Sequence, residues 1–438
     1  MKSCRPALLV ASGLVKIHIS ISALLALLLY LPSIGTCSPT DWIDPDTGHR
    51  VIQLSREPGS ESLYFNLNPF TPDGKKMVIT TPDGISTIDL QLRQIEQVVT
   101  GRVDVLMVGH KTGDVYYYRF NGRNPFARRE HVIYATSLET KATREVATLP
   151  PGEFAVSINS DETLAAGTIT DSSRMTNRPS FRFDRNLTPD QQRQRKGEMM
   201  DRRFNEHLSM KLFFLNLVTG KTTTCDKGTD WLNHLQFSPT DPNLLLFCHE
   251  GTWQDVDRVW TIHSDGTDLT LVHKRMMYME IAGHEFWGPD GETVWYDLQT
   301  PRGEDFWVGG CNLQTKIRTW YHLDRDEWSV HYNISSDGQM FCGDGGDDRM
   351  VAHATNGKWI YLFRPELVSD SSKTGEDKAD LIHPGVFHAE RLVNMVRHNY
   401  ALEPNAMFSP DGKWVIFRSN MSGVGQVYEV EIDKTEPH

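Results

Sequence analysis

The sequence predicts an all-β chain folded as a seven-bladed β-propeller, and three observations predict it. First, a unit of short strand, turn and second strand recurs as NPFTPDGKKMVITT, VSINSDETLAAGTI, LQFSPTDPNLLLFC, FWGPDGETVWYD, NISSDGQMFCGD and MFSPDGKWVIFRS. Second, where no insertion intervenes, successive turns lie about 40–50 residues apart, the length of a four-stranded blade. Third, no long stretch carries a 3.6-residue apolar period, while 33 glycines, 22 prolines and 11 tryptophans accompany many short apolar runs. A degenerate copy, VLMVGHKTGDVYYYRF, fills the gap between the first two clear turns. Six and eight blades are the alternatives to seven.

From the N-terminus, Lys2 and Arg5 precede an apolar run at residues 19–31 (ISISALLALLLYL), and small residues then lead to a polar segment. The run is shorter than the roughly 20 residues of a membrane span. Residues 1–37 therefore read as a secretory signal, with a single-pass anchor as the alternative. Secretion is expected, with no stable membrane association once the signal is removed. Residues 38–438 then form a single propeller domain.

Within that domain, residues 49–54 (HRVIQL) are expected to supply a strand that closes the ring with the last blade. Hairpins such as KLFFLNLVTGKTTTC, alternating about Thr219 and Gly220, supply further strands. Two segments stand outside the repeat, at about residues 170–207 and 369–400. The first contains LTPDQQRQRKGEMMDRRFNEHL, in which Thr188 and Pro189 start a helix. The second contains the polar loop SDSSKTGEDKAD. Placed above one mouth of a ring, insertions of this length wall a binding site.

A net charge of −12 argues against a nucleic-acid partner, whose affinity rests mainly on Lys and Arg. It leaves room for an anionic sugar in a local basic pocket. Once Cys4 and Cys37 leave with the signal, Cys225, Cys248, Cys311 and Cys342 remain. They allow up to two bridges in an oxidising compartment, with connectivity open, and no CxxC spacing points to structural zinc. Sequons at Asn186, Asn333 and Asn420 suit a secreted glycoprotein.

Three histidines occupy one register of the repeat, each four residues before the first residue of a strand-ending turn: His234 before Ser238, His284 before Gly288 and His331 before Ser335. Asn405 takes the same place before Ser409 in the last repeat. Equivalent positions in a radial array of sheets point toward one axis. These side chains are therefore expected around a single pocket. His110, in the degenerate repeat, has a less clear register.

The stretch CHEGTWQDVDRVW followed by GHEFWGPDG resembles the oligogalacturonate lyase family, seven-bladed propeller enzymes that cleave short pectic uronides by β-elimination. The resemblance runs from DPDTG near Asp44 through SLYFNLNPFTPDGKK, WLNH, CHEG, DRVW, GHEFW and GDGGD to FSPDGKW, almost the whole mature chain. It implies a lyase that acts on a uronic-acid oligosaccharide and leaves a 4,5-unsaturated uronate. The chemistry needs a base for the C5 proton and a positive charge on the neighbouring carboxylate. A histidine with an ordinary pKa near ~6.5 serves as base at neutral pH. By resemblance, His284 matches the catalytic base and Arg258 the arginine that assists at the substrate. His234 and His249 are candidate substrate contacts. The arginines of the first insertion, Arg174, Arg178, Arg182 and Arg185, are candidates for pairing with uronate carboxylates, and Arg182 is taken as their representative.

The resemblance also implies manganese, held in the family by one histidine of the sixth blade and a Gln-x-x-His-x-His cluster of the seventh. His331 matches the first ligand. The cluster positions here read Tyr400, Glu403 and Asn405. Glu403 and Asn405 offer oxygen ligands, which favour a hard cation such as Mn or Ca, and His398 lies nearby in sequence. A metal-independent enzyme is the alternative. The departure also opens a substrate alternative, a rhamnose–glucuronate-type lyase acting on gum side chains. A reading from another class is a non-catalytic propeller that binds glycan or protein. A peptidase-associated propeller is disfavoured, since this sequence has no G-x-S-x-G elbow.

Overall fold

Each repeat read in the sequence forms an antiparallel hairpin from the first two strands of a sheet. The computed structural model describes residues 41–122, 129–170, 187–226, 231–370 and 380–434. The apolar run, Arg174, Arg178, Arg182 and Arg185 lie outside these residues. Among the described residues no helix is long and apolar enough to cross a membrane.

The hairpins open with strands Glu61–Ser62, Val103–Val108, Glu153–Ile158, Trp231–Phe237, Ile281–Trp287, Tyr332–Ile334 and Met407–Phe408. Further antiparallel strands follow each, and the described residues form six hydrogen-bonded sheets. One sheet has eight strands because two four-stranded groups join edge to edge. The join is a parallel pairing of Arg318–Leu323 with Ile382–Asn394.

Apolar residues on facing sheets fill the space between neighbours. Val78 and Ile85 pack with Val108 and Val115, and Tyr116 and Tyr118 with Ala155 and Phe213. The series ends with Ile52, Ile416 and Val427 packed on Met77 and Ile88, which brings the last sheet against the first. Strand Arg50–Gln53 pairs with Gln426–Glu431, with Val51 opposite Val430, so the expected closing strand is in place. A cavity of about 470 Å³ at the turn end of the hairpins is lined by Phe65, Met107, Ile158, Phe237, Phe286, Ile334 and Phe408. His110 lines the same cavity.

The first insertion contains helix α1 (Pro189–Asn205). Thr188 caps it, its hydroxyl accepting from Gln191 N–H while the Gln191 side chain accepts from Thr188 N–H, a reciprocal capping box. The second insertion differs from expectation. Only residues 371–379 of it lie outside the described set, and strand Ile382–Asn394 is the longest in the structure at 13 residues. Residues 382–386 pair in parallel with Arg318–Leu323, and residues 385–394 pair antiparallel with Trp359–Leu367. The polar loop beside it masked a strand whose Phe387, Leu392 and Val393 are buried.

The four described cysteines are free, so no bridge forms among them. Of the described sequon residues, Asn333 donates to Phe65 O and accepts from Phe408 N–H. Asn420 is tied to both backbone groups of Asn399. Neither amide is free for a glycan without breaking those bonds.

Candidate active site

Left-handed backbone aims three residues of the histidine register. His234, His284 and Asn405 have φ of 52°, 45° and 50°, values that non-glycine residues adopt rarely and that His and Asn tolerate better than most. Two of them sit in irregularities of pairing, between Asn233 and Gln236 and between Gly283 and Phe286. A bulge of this kind turns one side chain out of the pleat. Three of the four residues in the sequence register thus share a left-handed backbone, and His331 does not.

Each of the three histidines meets a carboxylate from the second strand of its own sheet. His234 Nε2 lies 3.5 Å from Glu250 Oε2, His284 Nδ1 lies 3.4 Å from Asp297 Oδ1, and His331 Nδ1 lies 2.7 Å from Asp344 Oδ2. The pairs differ in access. His331 is 1 % exposed, whereas the side chains of His284 and His234 keep 18 % and 25 % of their surface open. Burial works against a charge on His331, but Asp344 and Glu403 outweigh it and raise its pKa. At His234 burial is again opposed, by pairing with Glu250 and the charges of Glu285 and Glu250, and the pKa rises.

These pairs meet. The rings of His284 and His331 lie edge to face with centroids 4.7 Å apart, and Phe65 and Tyr64 cover the other sides of His331. Trp253 stands between His284 and Arg258: its ring lies 5.2 Å from His284, and the Arg258 guanidinium carbon lies 4.2 Å over it. Gly283 makes room for this indole, because a Cβ there would come within 2.6 Å of it. The loop carrying Trp253 is braced by α1, through a 2.7 Å hydrogen bond from Thr252 Oγ1 to Asp201 and the approach of Phe204 to Gly251.

Arg258 is 2 % exposed and is paired through Nη1 with Glu250, also buried. Burial alone would raise the Glu250 pKa, but the Arg258 and His234 charges hold it far below the usual carboxylate range. Glu285 is 1 % exposed and neither of its carboxylate oxygens has a hydrogen-bond partner. His284, His331, His234, Arg258, Glu403 and Asn405 therefore belong to one connected cluster. His249 alternates with Glu250 along its strand and faces the other way. Sequence reasoning missed Glu250, Asp297, Asp344, Glu285, Trp253 and Tyr64. One signal was available, a carboxylate on the next strand 13 to 16 residues after each histidine.

The family model for oligogalacturonate lyase matches residues 37–435. The chain belongs to the oligogalacturonate lyase family. The oligogalacturonide lyase of Pectobacterium atrosepticum is 25 % identical over 402 residues, spanning 89 % of this chain and 95 % of that protein. The oligogalacturonate lyase of Dickeya dadantii is 24 % identical over 397 residues, with the same coverage. In fold, the chain is similar to an oligogalacturonate lyase solved in complex with manganese, with TM-score 0.71 and 21 % identity over 91 % of this chain and 96 % of the other. The oligogalacturonate lyase of Vibrio parahaemolyticus gives TM-score 0.70 at 20 % identity, over 91 % and 98 % of the two chains.

The residues at the family's metal positions do not fit a resident cation here. His331 Nε2 and Glu403 Oε2 face each other at 3.9 Å, but the other expected donors are engaged. Asn405 Oδ1 accepts from Phe65 N–H and its Nδ2 donates to Glu403 O. The Tyr400 hydroxyl donates to Asp344 O, and both ring nitrogens of His398 are bonded, to Ser419 Oγ and Leu402 O. Burial also pushes the His398 pKa down to about 4. Among the described residues no group of three His, Cys, Asp or Glu converges as a metal site. Two facing donors fall short of the six or more oxygens of a calcium site.

Proposed function

We propose that this protein is a secreted, seven-bladed lyase that cleaves uronic-acid oligosaccharides of the oligogalacturonate type by β-elimination. The observation that carries this reading is His284. It is the partly open member of a histidine–carboxylate pair, set beside His331 and Trp253 in a chain that belongs to this family. The reading of seven blades is supported by seven strand–turn–strand units around one cavity, with the eight-stranded sheet counted as two blades. Secretion rests on residues 1–37 alone.

In the proposed reaction His284 removes the C5 proton, with Asp297 fixing the imidazole orientation. The C5–H electron pair becomes the C4=C5 double bond and the C4–O bond breaks. The leaving oxygen acquires a proton, and the product carries a 4,5-unsaturated uronate. The acidity of C5 depends on neutralising the adjacent carboxylate. This chain supplies imidazoles and a guanidinium for that purpose, and no step is routed through a metal.

A second reading, elimination at a terminal glucuronate of a gum-type side chain, is favoured by one feature. Tyr400, Glu403 and Asn405 reshape the wall that in the family holds the metal. Incubation of the purified protein with oligogalacturonates, glucuronate-capped oligosaccharides and other uronides decides between them, read as absorbance of the conjugated product at about 235 nm. A rise with oligogalacturonates is expected. A flat trace across the whole panel overturns the lyase reading.

A further inference from the structure

We propose that residues 276–279 form a stacking platform for uronide chains longer than a disaccharide, with the Tyr278 ring taking the apolar face of a sugar that lies outside the catalytic pocket. The proposal rests on the lyase reading above and extends it to substrate length.

Four consecutive apolar side chains stand in water here. Tyr278 is 98 % exposed and Met276 77 %, and Met277 and Met279 are 48 % and 45 % exposed. Single exposed apolar residues are ordinary, whereas a contiguous set marks a surface that meets a ligand. The set is also held in place. Buried Glu280 accepts from the N–H groups of Met276 and Met277, at 2.7 and 3.1 Å, through one carboxylate oxygen. Its other oxygen lies 2.7 Å from Nε2 of buried His273, whose Nδ1 lies 3.1 Å from the Tyr296 hydroxyl. Met279 has a left-handed φ of 61°, a conformation costly for a residue without a short polar side chain. A buried carboxylate and a strained backbone thus hold four apolar side chains in solvent, and preorganisation of a binding surface is what offsets that cost.

The position names the ligand. Residues 276–279 lead directly into strand Ile281–Trp287, which carries His284. Arg275 donates to Asp257 Oδ1 through its backbone N–H and its Nε, at 3.2 and 3.0 Å. Asp257 belongs to the loop of Trp253, the indole that lies against His284. On the other side, Met279 O accepts from Arg302 N–H at 2.8 Å. Lys274 and Arg302 are both exposed. An aromatic ring flanked by cations fits an anionic sugar chain. Galacturonate presents C3–H, C4–H and C5–H on one face, which packs on a ring, and its carboxylates pair with the cations. The same loop chemistry suits an anionic lipid surface. A bilayer seated there, however, would lie against the loops that border His284 and obstruct a soluble sugar.

The test uses the full-length protein with digalacturonate and hexagalacturonate. Tyr278→Ala removes a solvent-exposed ring and leaves the fold intact. It is expected to raise KM for hexagalacturonate about fivefold relative to KM for digalacturonate, the scale of one aromatic contact. Tyr278→Phe retains the ring and should keep the wild-type ratio. Calorimetry in the His284→Ala background reads binding without turnover, and adding Tyr278→Ala there should weaken hexagalacturonate binding by the same factor.

An unchanged ratio of KM values in Tyr278→Ala, or an equal change for both sugars, overturns the proposal. So does sedimentation of the wild type with phosphatidylcholine–phosphatidylserine vesicles that Tyr278→Ala abolishes while the ratio stays level, which would assign the loop to lipid. If no uronide is cleaved yet hexagalacturonate binding depends on Tyr278, the lyase reading falls and the platform stands. If digalacturonate is cleaved and chain length makes no difference to Tyr278→Ala, the platform falls and the lyase reading stands.

Discussion

His284 Nδ1 lies 3.4 Å from Asp297 Oδ1, and neither atom has a hydrogen-bond partner elsewhere. A modest rotation of either side chain makes a carboxylate–imidazole pair that commits Nδ1 to Asp297 and leaves Nε2 for the substrate. His284→Ala is expected to abolish the signal at about 235 nm while the melting temperature stays near wild type. Asp297→Asn is expected to lower kcat by about 10²-fold or more with little change in KM, the scale of a positioned general base. Unchanged turnover in His284→Ala would remove it as the base.

Metal chelation tests the residues around His331. The protein dialysed against EDTA should keep its turnover within about twofold, because the expected ligands are engaged with one another and with backbone. Loss of activity restored by manganese, and by no other addition, would show that Glu403 and Asn405 rearrange to hold an ion.

Gly283 lets Trp253 reach its place. A Cβ at that position comes within 2.6 Å of the indole and 3.3 Å of Asp297 Oδ1. Gly283→Ala should lower stability by about 1–3 kcal/mol, the usual cost of overpacking a filled site, and should reduce turnover with it. Wild-type behaviour in urea unfolding and in kinetics would show that the indole is not held there.

Glu162 ties the second and third sheets together. Its carboxylate accepts from the backbone N–H of Lys111 and Thr112, from Thr112 Oγ1 at 2.6 Å and from the Tyr116 hydroxyl at 2.7 Å. Burial alone would raise its pKa, but these donors outweigh burial and lower it. A depressed carboxylate contributes stability that is present above its unfolded pKa of about 4.3 and is lost as pH falls through the folded value. Thermal melts from pH 7 to pH 3 should show Glu162→Gln less stable than wild type at pH 7 and less sensitive to acid. Parallel curves for the two proteins would contradict the assignment.

The parts of this molecule legible in sequence are those with local signatures. The turns at residues 72–74 and 410–412, the cap at Thr188 and the histidine register are each contained in a few adjacent residues. The carboxylate partners were harder to see because pairing between strands decides them. Asp297 meets His284 only because Thr293–Gln299 lies antiparallel to Ile281–Trp287, with Gly283 opposite Asp297. Arg258 shows the opposite problem: its motif was recognisable, but its burial under Trp253 depends on a loop braced by a distant helix. The strand Ile382–Asn394 was not legible because its first five residues pair in parallel with a segment more than sixty residues earlier.

The clasp between the two ends of the chain sets an order of assembly. Val427 N–H donates to the Ser55 hydroxyl across 372 positions of sequence, so the strand at residues 50–53 waits without its partner until residues 426–431 have been made. Every sheet between can form from neighbours already made, and the long-range contacts, such as Asp44 with Asn394, Glu61 with Arg418 and finally Ser55 with Val427, come last. Closing so long a loop adds little entropy cost beyond a shorter one, since that cost grows with the logarithm of length, but it delays the event. A nascent chain halted before residue 426 would therefore hold finished sheets with His284 and His331 already neighbours, but with the strand at residues 50–53 still lacking its partner.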